Sequence, residues 1–178
     1  MRIYFVTHST SVDNEAGIAS GHLDTGLSAR GRGEAAELPA RLAGLPFGAV
    51  FCSSLRRAIE TAEIAFGGTY PIRADARLDE VDYGDYAGMS VPALDTVRGG
   101  YIDVAFPHGE SYRQRTALVE AFLSELRQAP GADAVLIVGC RATKWALDVL
   151  LDGRTLAAVV TSPFQWRPYW PYTLARRE

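Results

Sequence analysis

Cysteine and histidine are scarce in this chain, with two and three copies in 178 residues. Cys52 and Cys140 are too few for a disulfide framework. Neither belongs to a Cys-x-x-Cys pair or to a cysteine and histidine cluster with zinc spacing. No metal and no cofactor is therefore expected. Cys52 ends an apolar run and reads as a small core residue. A basic excess is lacking too. Eighteen Lys and Arg stand against 21 Asp and Glu, for a formal charge of -3, and the arginines are scattered, which argues against a nucleic-acid partner. A few arginines brought together in space still suffice for phosphate. There is no charged-then-apolar leader and no apolar run of about 18 residues, so neither export nor a membrane partner is expected, and the cytoplasm is the default location. Internal repeats and low-complexity segments are also missing.

What is present is apolar content of 48%, ample for one compact core in a chain too short for two average domains. A single domain over 1–178 is expected. Arg2 to Val6, Ala49 to Cys52 and Ala134 to Val138 are short apolar runs rich in β-branched or aromatic residues, the pattern of strands buried on both faces. Pro71 to Arg73 is a further short candidate. Helix-like stretches alternate with them: Ser28 to Leu42, Ser54 to Phe66, Ser111 to Arg127 and Thr143 to Leu151. That alternation predicts an α/β three-layer sandwich, a mostly parallel doubly wound sheet with helices on both faces. Ser28 and Ser54 are candidate N-caps, and Pro39 predicts a kink or break in the first long helix. The segment 82–110 has glycines at 84, 88, 99, 100 and 109 and little periodicity, so it reads as a loop-rich, partly helical cover over the sheet's carboxyl edge. Ser162 to Tyr172 packs Phe164, Trp166, Tyr169, Trp170 and Tyr172 among three prolines. Its plain reading is a final strand and aromatic plug; a sharper one is a pocket wall or a homodimer patch.

Thr7-His8-Ser9 stands where the opening strand runs out, which places one histidine at a strand's carboxyl end, where open α/β sheets put their chemistry. His22 and His108 fall in loop-like segments. Downstream come Asn14, Gly21, Asp24, Leu27, Ser28 and Gly31, then Ser53-Ser54-Leu55-Arg56-Arg57-Ala58-Ile59-Glu60-Thr61-Ala62. Leu78-Asp79-Glu80-Val81-Asp82-Tyr83-Gly84, Pro107-His108-Gly109-Glu110-Ser111 and Val135 to Thr143 follow. In order and spacing these blocks resemble the histidine phosphatase (phosphoglycerate mutase-like) superfamily, from near residue 2 to about residue 150.

The resemblance implies a phosphoglycerate mutase-like fold with His8 as the phosphoryl acceptor, Arg57 as the phosphate-binding arginine and Glu80 as proton donor to the leaving group. Unaided by the resemblance, Glu80 also reads as a solvated loop carboxylate. Asn14 matches a pocket asparagine of the mutase branch. Three positions depart from the family pattern. Thr7 and Ser9 flank His8 where the family writes Arg-His-Gly, and Cys140 stands where a second histidine is usual. Thr7 offers one hydroxyl in place of a bidentate guanidinium, and Cys140 offers a weak S–H or, ionised, a repelling charge. Arg141 is the candidate rescue, swinging into the volume left by Thr7 and Ser9; otherwise it points to solvent or pairs with an acid. A nucleophilic Cys140 is disfavoured, because the residues after it do not build a cysteine-phosphatase loop. Thr7, Ser9, Asn14, Cys140 and Arg141 are thus the expected substrate-binding positions, with His108 and Trp166 at the rim.

Three activities remain open on these residues. The first is a metal-independent phosphohydrolase for a small, anionic phosphorylated metabolite, working through a phosphohistidine at His8. In the second, His8 and Glu80 serve as an acid/base pair in an isomerase, lyase or cyclase. The third is a catalytically impaired metabolite-binding or partner-supporting protein.

Overall fold

The computed structural model describes residues 1–129 and 133–175. Five strands, β1 (Arg2–Thr7), β2 (Val50–Ser53), β3 (Ile72–Asp75), β4 (Ala134–Gly139) and β5 (Trp170–Thr173), form one sheet in the order β3-β2-β4-β1-β5. All pairings are parallel except β1 with β5. The helices are α1 (Val12–Glu15), α2 (Ala29–Arg41), α3 (Arg56–Phe66), α4 (Val91–Val97), α5 (Tyr112–Gln128), α6 (Arg141–Asp152) and α7 (Leu156–Thr161).

The apolar runs explain the layers. All six β4 residues are buried because β1 and β2 flank the strand and helices cover both its faces. Along β1 the side chains alternate. Ile3 and Phe5 join Val119, Phe122 and Leu123 of α5 and Leu147 of α6, whereas Tyr4 and Val6 join Leu38 of α2 and Ala58 and Ala62 of α3. The two-residue period of a strand thus feeds two separate cores, one per face. A third cluster, around Val81, Tyr83, Leu94, Phe106, Tyr112 and Trp145, ties segment 82–110 to α6 and α7.

This topology creates the crevice. β1 and β4 are neighbours, in register from Arg2 opposite Ala134 to Thr7 opposite Gly139. The chain leaves β1 toward β2 on one side and leaves β4 toward β5 on the other, so their carboxyl ends diverge into a cleft that neither connection covers.

Several local expectations are corrected. Ser28 caps α2, its hydroxyl accepting from Gly31 N, but Pro39 does not break that helix, which runs on to Arg41. The proline lacks the N–H that would reach Ala35 O, but only Ala40 and Arg41 follow it, so the disturbance is confined to the helix end. Ser54 is not the cap of α3. That position is Leu55, without a side-chain bond, because the Ser54 N–H and hydroxyl both go to the buried Asp79 carboxylate at 2.7 Å, a charged acceptor that outcompetes neutral partners. Helix α6 begins at Arg141, two residues before the expected Thr143, since the chain turns directly from β4 through the extended Cys140. Segment 82–110 contains α4 and two short 3-10 turns. Of the expected final strand only Trp170–Thr173 pairs, antiparallel to β1; the Trp170 ring meets Phe5 at 5.8 Å and Tyr172 is buried. No helix among the described residues is long and apolar enough to cross a membrane.

Candidate active site

The carboxyl ends of β1 and β4 open into a cavity of about 570 Å³. His8 stands at its base. Its backbone N–H extends the β1–β4 ladder by donating to Gly139 O at 2.9 Å. The next N–H, of Ser9, donates to Thr61 Oγ1 at 3.0 Å, and that hydroxyl donates to Arg57 O at 2.7 Å. A sheet pairing on one side and a helix hydroxyl on the other thus fix the backbone around the imidazole.

The imidazole is oriented as well. Nδ1 lies 2.8 Å from Ser9 O; only a protonated Nδ1 can donate to a carbonyl, which leaves Nε2 with its lone pair. Arg57 Nε donates to that Nε2 at 3.2 Å. Burial first, then the Arg57 charge and more weakly that of Arg141, pull the His8 pKa down to about 4, against a smaller opposing effect of the Ser9 bond. At neutral pH His8 is an uncharged base whose Nε2 lone pair accepts from Arg57.

Arg57 is 3% exposed and reaches the site from the first turn of α3. Its guanidinium is clamped by Gly21 O at 2.8 Å and Leu23 O at 3.4 Å. The Gly21 carbonyl is aimed by a backbone that needs glycine: φ is +52°, and a Cβ would lie 2.9 Å from Tyr83 Cδ2. The arginine therefore meets His8 as a rigid fork.

Glu80, 8% exposed, lines the same cavity. It is not a solvated loop carboxylate: Oε1 accepts from Val81 N at 3.0 Å and Oε2 from Arg141 N at 3.2 Å. Its neighbour Asp79 binds the β2 end through Ser53 Oγ and Ser54, so the turn carrying Glu80 is anchored to the sheet.

The remaining expected positions divide. Thr7, Ser9, Asn14, Arg141 and Trp166 line the cavity with His8, Arg57 and Glu80. Asn14 is committed locally, however, its Oδ1 accepting from Ser11 N in the capping box of α1. Cys140 is not a cavity residue. It is fully buried with Sγ 4.0 Å from Ser53 Oγ, and burial pushes its thiol up to about 12. It neither binds an anion nor supplies a thiolate, because it points back into the β2–β4 seam. His108 is corrected too. Its side chain is 85% exposed, at φ +57°, and its Nδ1 pairs with Asp85 at 3.0 Å on the surface, away from the cavity lining. Arg141 enters the cavity but not the place expected of it. Its guanidinium lies over Phe164 at 5.1 Å and Trp145 at 5.8 Å, and no hydrogen bond joins it to Thr7, His8 or Ser9 among the described residues. Cys52 is a buried core thiol as expected.

Residues that motif reading missed complete the wall. Arg98, Tyr83 and Leu94 from segment 82–110 line it. Arg98 is 5% exposed, pairs with Asp95 and lies over Trp145 at 5.3 Å. Thr61 stood inside a quoted motif without a role. Arg30 and Arg41 of α2 join the rim, so five arginines face two carboxylates, Glu34 and Glu80, in a chain that is acidic overall. Arg30 is paired with Glu34 and Arg41 with Glu37, so the excess of positive charge rests on Arg57, Arg98 and Arg141. Among the described residues no group of three or more His, Cys, Asp or Glu side chains could hold a metal ion.

Comparison with known proteins agrees with this geometry. A relative from Salmonella typhi, named an adenosylcobalamin/alpha-ribazole phosphatase, is 30% identical over 94% of this chain and 85% of its own length. The structure of Bacillus stearothermophilus YhfR superposes with a TM-score of 0.80 at 25% identity, covering 98% of this chain and 95% of that one. A mycobacterial glucosyl-3-phosphoglycerate phosphatase gives 0.78 at 26% identity, over 89% and 85%. The model of the histidine phosphatase superfamily (branch 1) matches residues 3–165, and the chain belongs to that superfamily.

Proposed function

We propose that this chain hydrolyses phosphate monoesters of small metabolites through a phosphohistidine on His8. The carrying observation is the state of that imidazole: Nδ1–H is tied to Ser9 O, Nε2 keeps its lone pair, and a pKa near 4 keeps it neutral where most metabolites circulate. Two relatives that match along most of the chain are named as phosphatases of different substrates. That supports a common reaction with a substrate set by each pocket.

The steps follow from the placement of each group. Nε2 attacks phosphorus as the bond to the ester oxygen breaks. A phosphoryl oxygen beside Nε2 gives Arg57 a charged acceptor, so its N–H groups move onto the charge that spreads over the oxygens in the transition state. Glu80, buried on the same wall, passes a proton to the departing oxygen and then takes one from the water that cleaves the N–P bond, releasing inorganic phosphate. Arg57, held by Gly21 and Leu23, has little reorganisation left to make.

The experiment is phosphate release from a panel of monoesters, with rapid acid-free quenching to trap radiolabel on histidine. Turnover and label are expected with the unaltered chain and neither with His8→Ala. Turnover that survives His8→Ala sinks the mechanism; stoichiometric binding of esters without turnover would favour a metabolite-binding role instead.

A further inference from the structure

Two arginines converge on one indole in the cavity wall. The Cζ of Arg98 lies 5.3 Å from the Trp145 ring centre and that of Arg141 5.8 Å, so the two cations are at most about 11 Å apart. Trp145 is 3% exposed and Arg98 5%. Both arginines line the cavity that holds His8 and Arg57, and neither is hydrogen-bonded to them. The only carboxylate paired with Arg98 among the described residues is Asp95, whose side chain is 50% exposed, and Arg141 has no ion pair there. Burial, and further the charge of Arg141, hold Arg98 below the usual guanidinium range.

Two like charges gathered on one indole, the Arg98 charge buried, repel each other, and cation–π attraction offsets only part of that cost. An anion between them removes the repulsion and satisfies donors on both forks. Arg57 is the arginine hydrogen-bonded to His8 Nε2, and the proposal gives it the phosphoryl group and gives the other two arginines a different anion. Resting on the phosphatase reading above, we propose that Arg98 and Arg141 form a second anion subsite and that the substrate is a phosphate monoester bearing a second acidic group, carboxylate or phosphate, remote from the bond that breaks.

Matched esters test it. Glycerol 3-phosphate against 3-phosphoglycerate changes only an alcohol carbon into a carboxylate; 3-hydroxypropyl phosphate against propane-1,3-diyl bisphosphate does the same for a second phosphate. The unaltered chain is expected to favour the acid-bearing member of at least one pair by about tenfold or more in kcat/KM, the scale of a charge-assisted bond, and the favoured pair identifies the group. Arg141→Met should erase most of that ratio, Arg141→Lys restore part of it, and Arg98→Met act likewise if circular dichroism and melting show it folded. No preference in the unaltered chain, or equal losses on both members of a pair in Arg141→Met, overturns the subsite and leaves the phosphatase reading standing. If no ester is turned over, the phosphatase reading falls, and calorimetric binding of the same pairs decides: discrimination that Arg141→Met removes keeps the subsite, equal Kd values end it.

Discussion

Replacing His8 with glutamine should make the protein less sensitive to acid. In the folded chain the His8 pKa is lowered to about 4, with burial the first cause and the Arg57 and Arg141 charges adding to it; in the unfolded chain it returns to about 6.5. Above pH 6.5 the side chain is neutral in both states and titration contributes nothing. As pH falls through 6.5 the unfolded chain takes up a proton that the folded chain refuses, so folding stability declines until both states are protonated below about pH 4. The whole displacement corresponds to about 3 kcal/mol, and about 2.5 kcal/mol of it is lost between pH 7.5 and pH 4.5. Urea unfolding at those two pH values measures the loss, and the glutamine variant should show a difference smaller by roughly that amount. A proton-detected titration of the three histidine rings gives the pKa directly. A His8 resonance that titrates near 6.5, or a variant whose acid sensitivity equals that of the unaltered chain, would refute the account of a desolvated imidazole under two positive charges.

Three further outcomes are expected. Arg57→Lys keeps the charge but loses the fork that spans His8 Nε2, Gly21 O and Leu23 O; phosphate release should fall by about a hundredfold or more and thermal unfolding should show a cost of about 1–3 kcal/mol from the orphaned carbonyls. Ile137→Ala, in the strand buried on both faces, should destabilise by about 2–5 kcal/mol in denaturant without moving KM. Both cysteines, buried with thiols pushed up to about 12, should resist iodoacetamide at pH 8 until the chain unfolds, and Cys140→Ala should keep its turnover; rapid native alkylation of Cys140 would show that it faces the cavity after all.

The layers were legible because the strands that build them are buried on both faces and therefore write continuous apolar runs, as in Ala134–Gly139. His8, Arg57 and Glu80 were legible for a different reason: the order and spacing of the motif blocks, matched to the family, marked all three, whereas strand position alone marked only His8. Arg98 was not: it belongs to a glycine-rich segment without periodicity, and only folding against Trp145 and Tyr83 brings it to the wall. Ser54 and Cys140 show the opposite failure. Each occupies a motif position, yet Asp79 claims the serine and the β2–β4 seam claims the thiol, competitors far away in sequence that no local pattern reveals. His108 went astray because a left-handed backbone and a surface partner, Asp85, turn it outward.

The departures from the family pattern at Thr7 and Cys140 are one structural event. Thr7 and Gly139 are register partners, and Cys140 follows directly, so both positions meet in a single corner at the ends of β1 and β4. In that corner Arg57 alone remains bonded to His8. The cavity has nonetheless kept its sign, since Arg98 and Arg141 stand on the Trp145 wall. Ground-state attraction for an anion depends on the summed field of the cavity and survives such a relocation. Stabilisation of the transferring phosphoryl group depends on donors within hydrogen-bond distance of its oxygens and does not. On the proposed reading the consequence is an unequal one: substrate capture should draw on all three arginines, while the chemical step should depend on Arg57, the arginine bonded to His8.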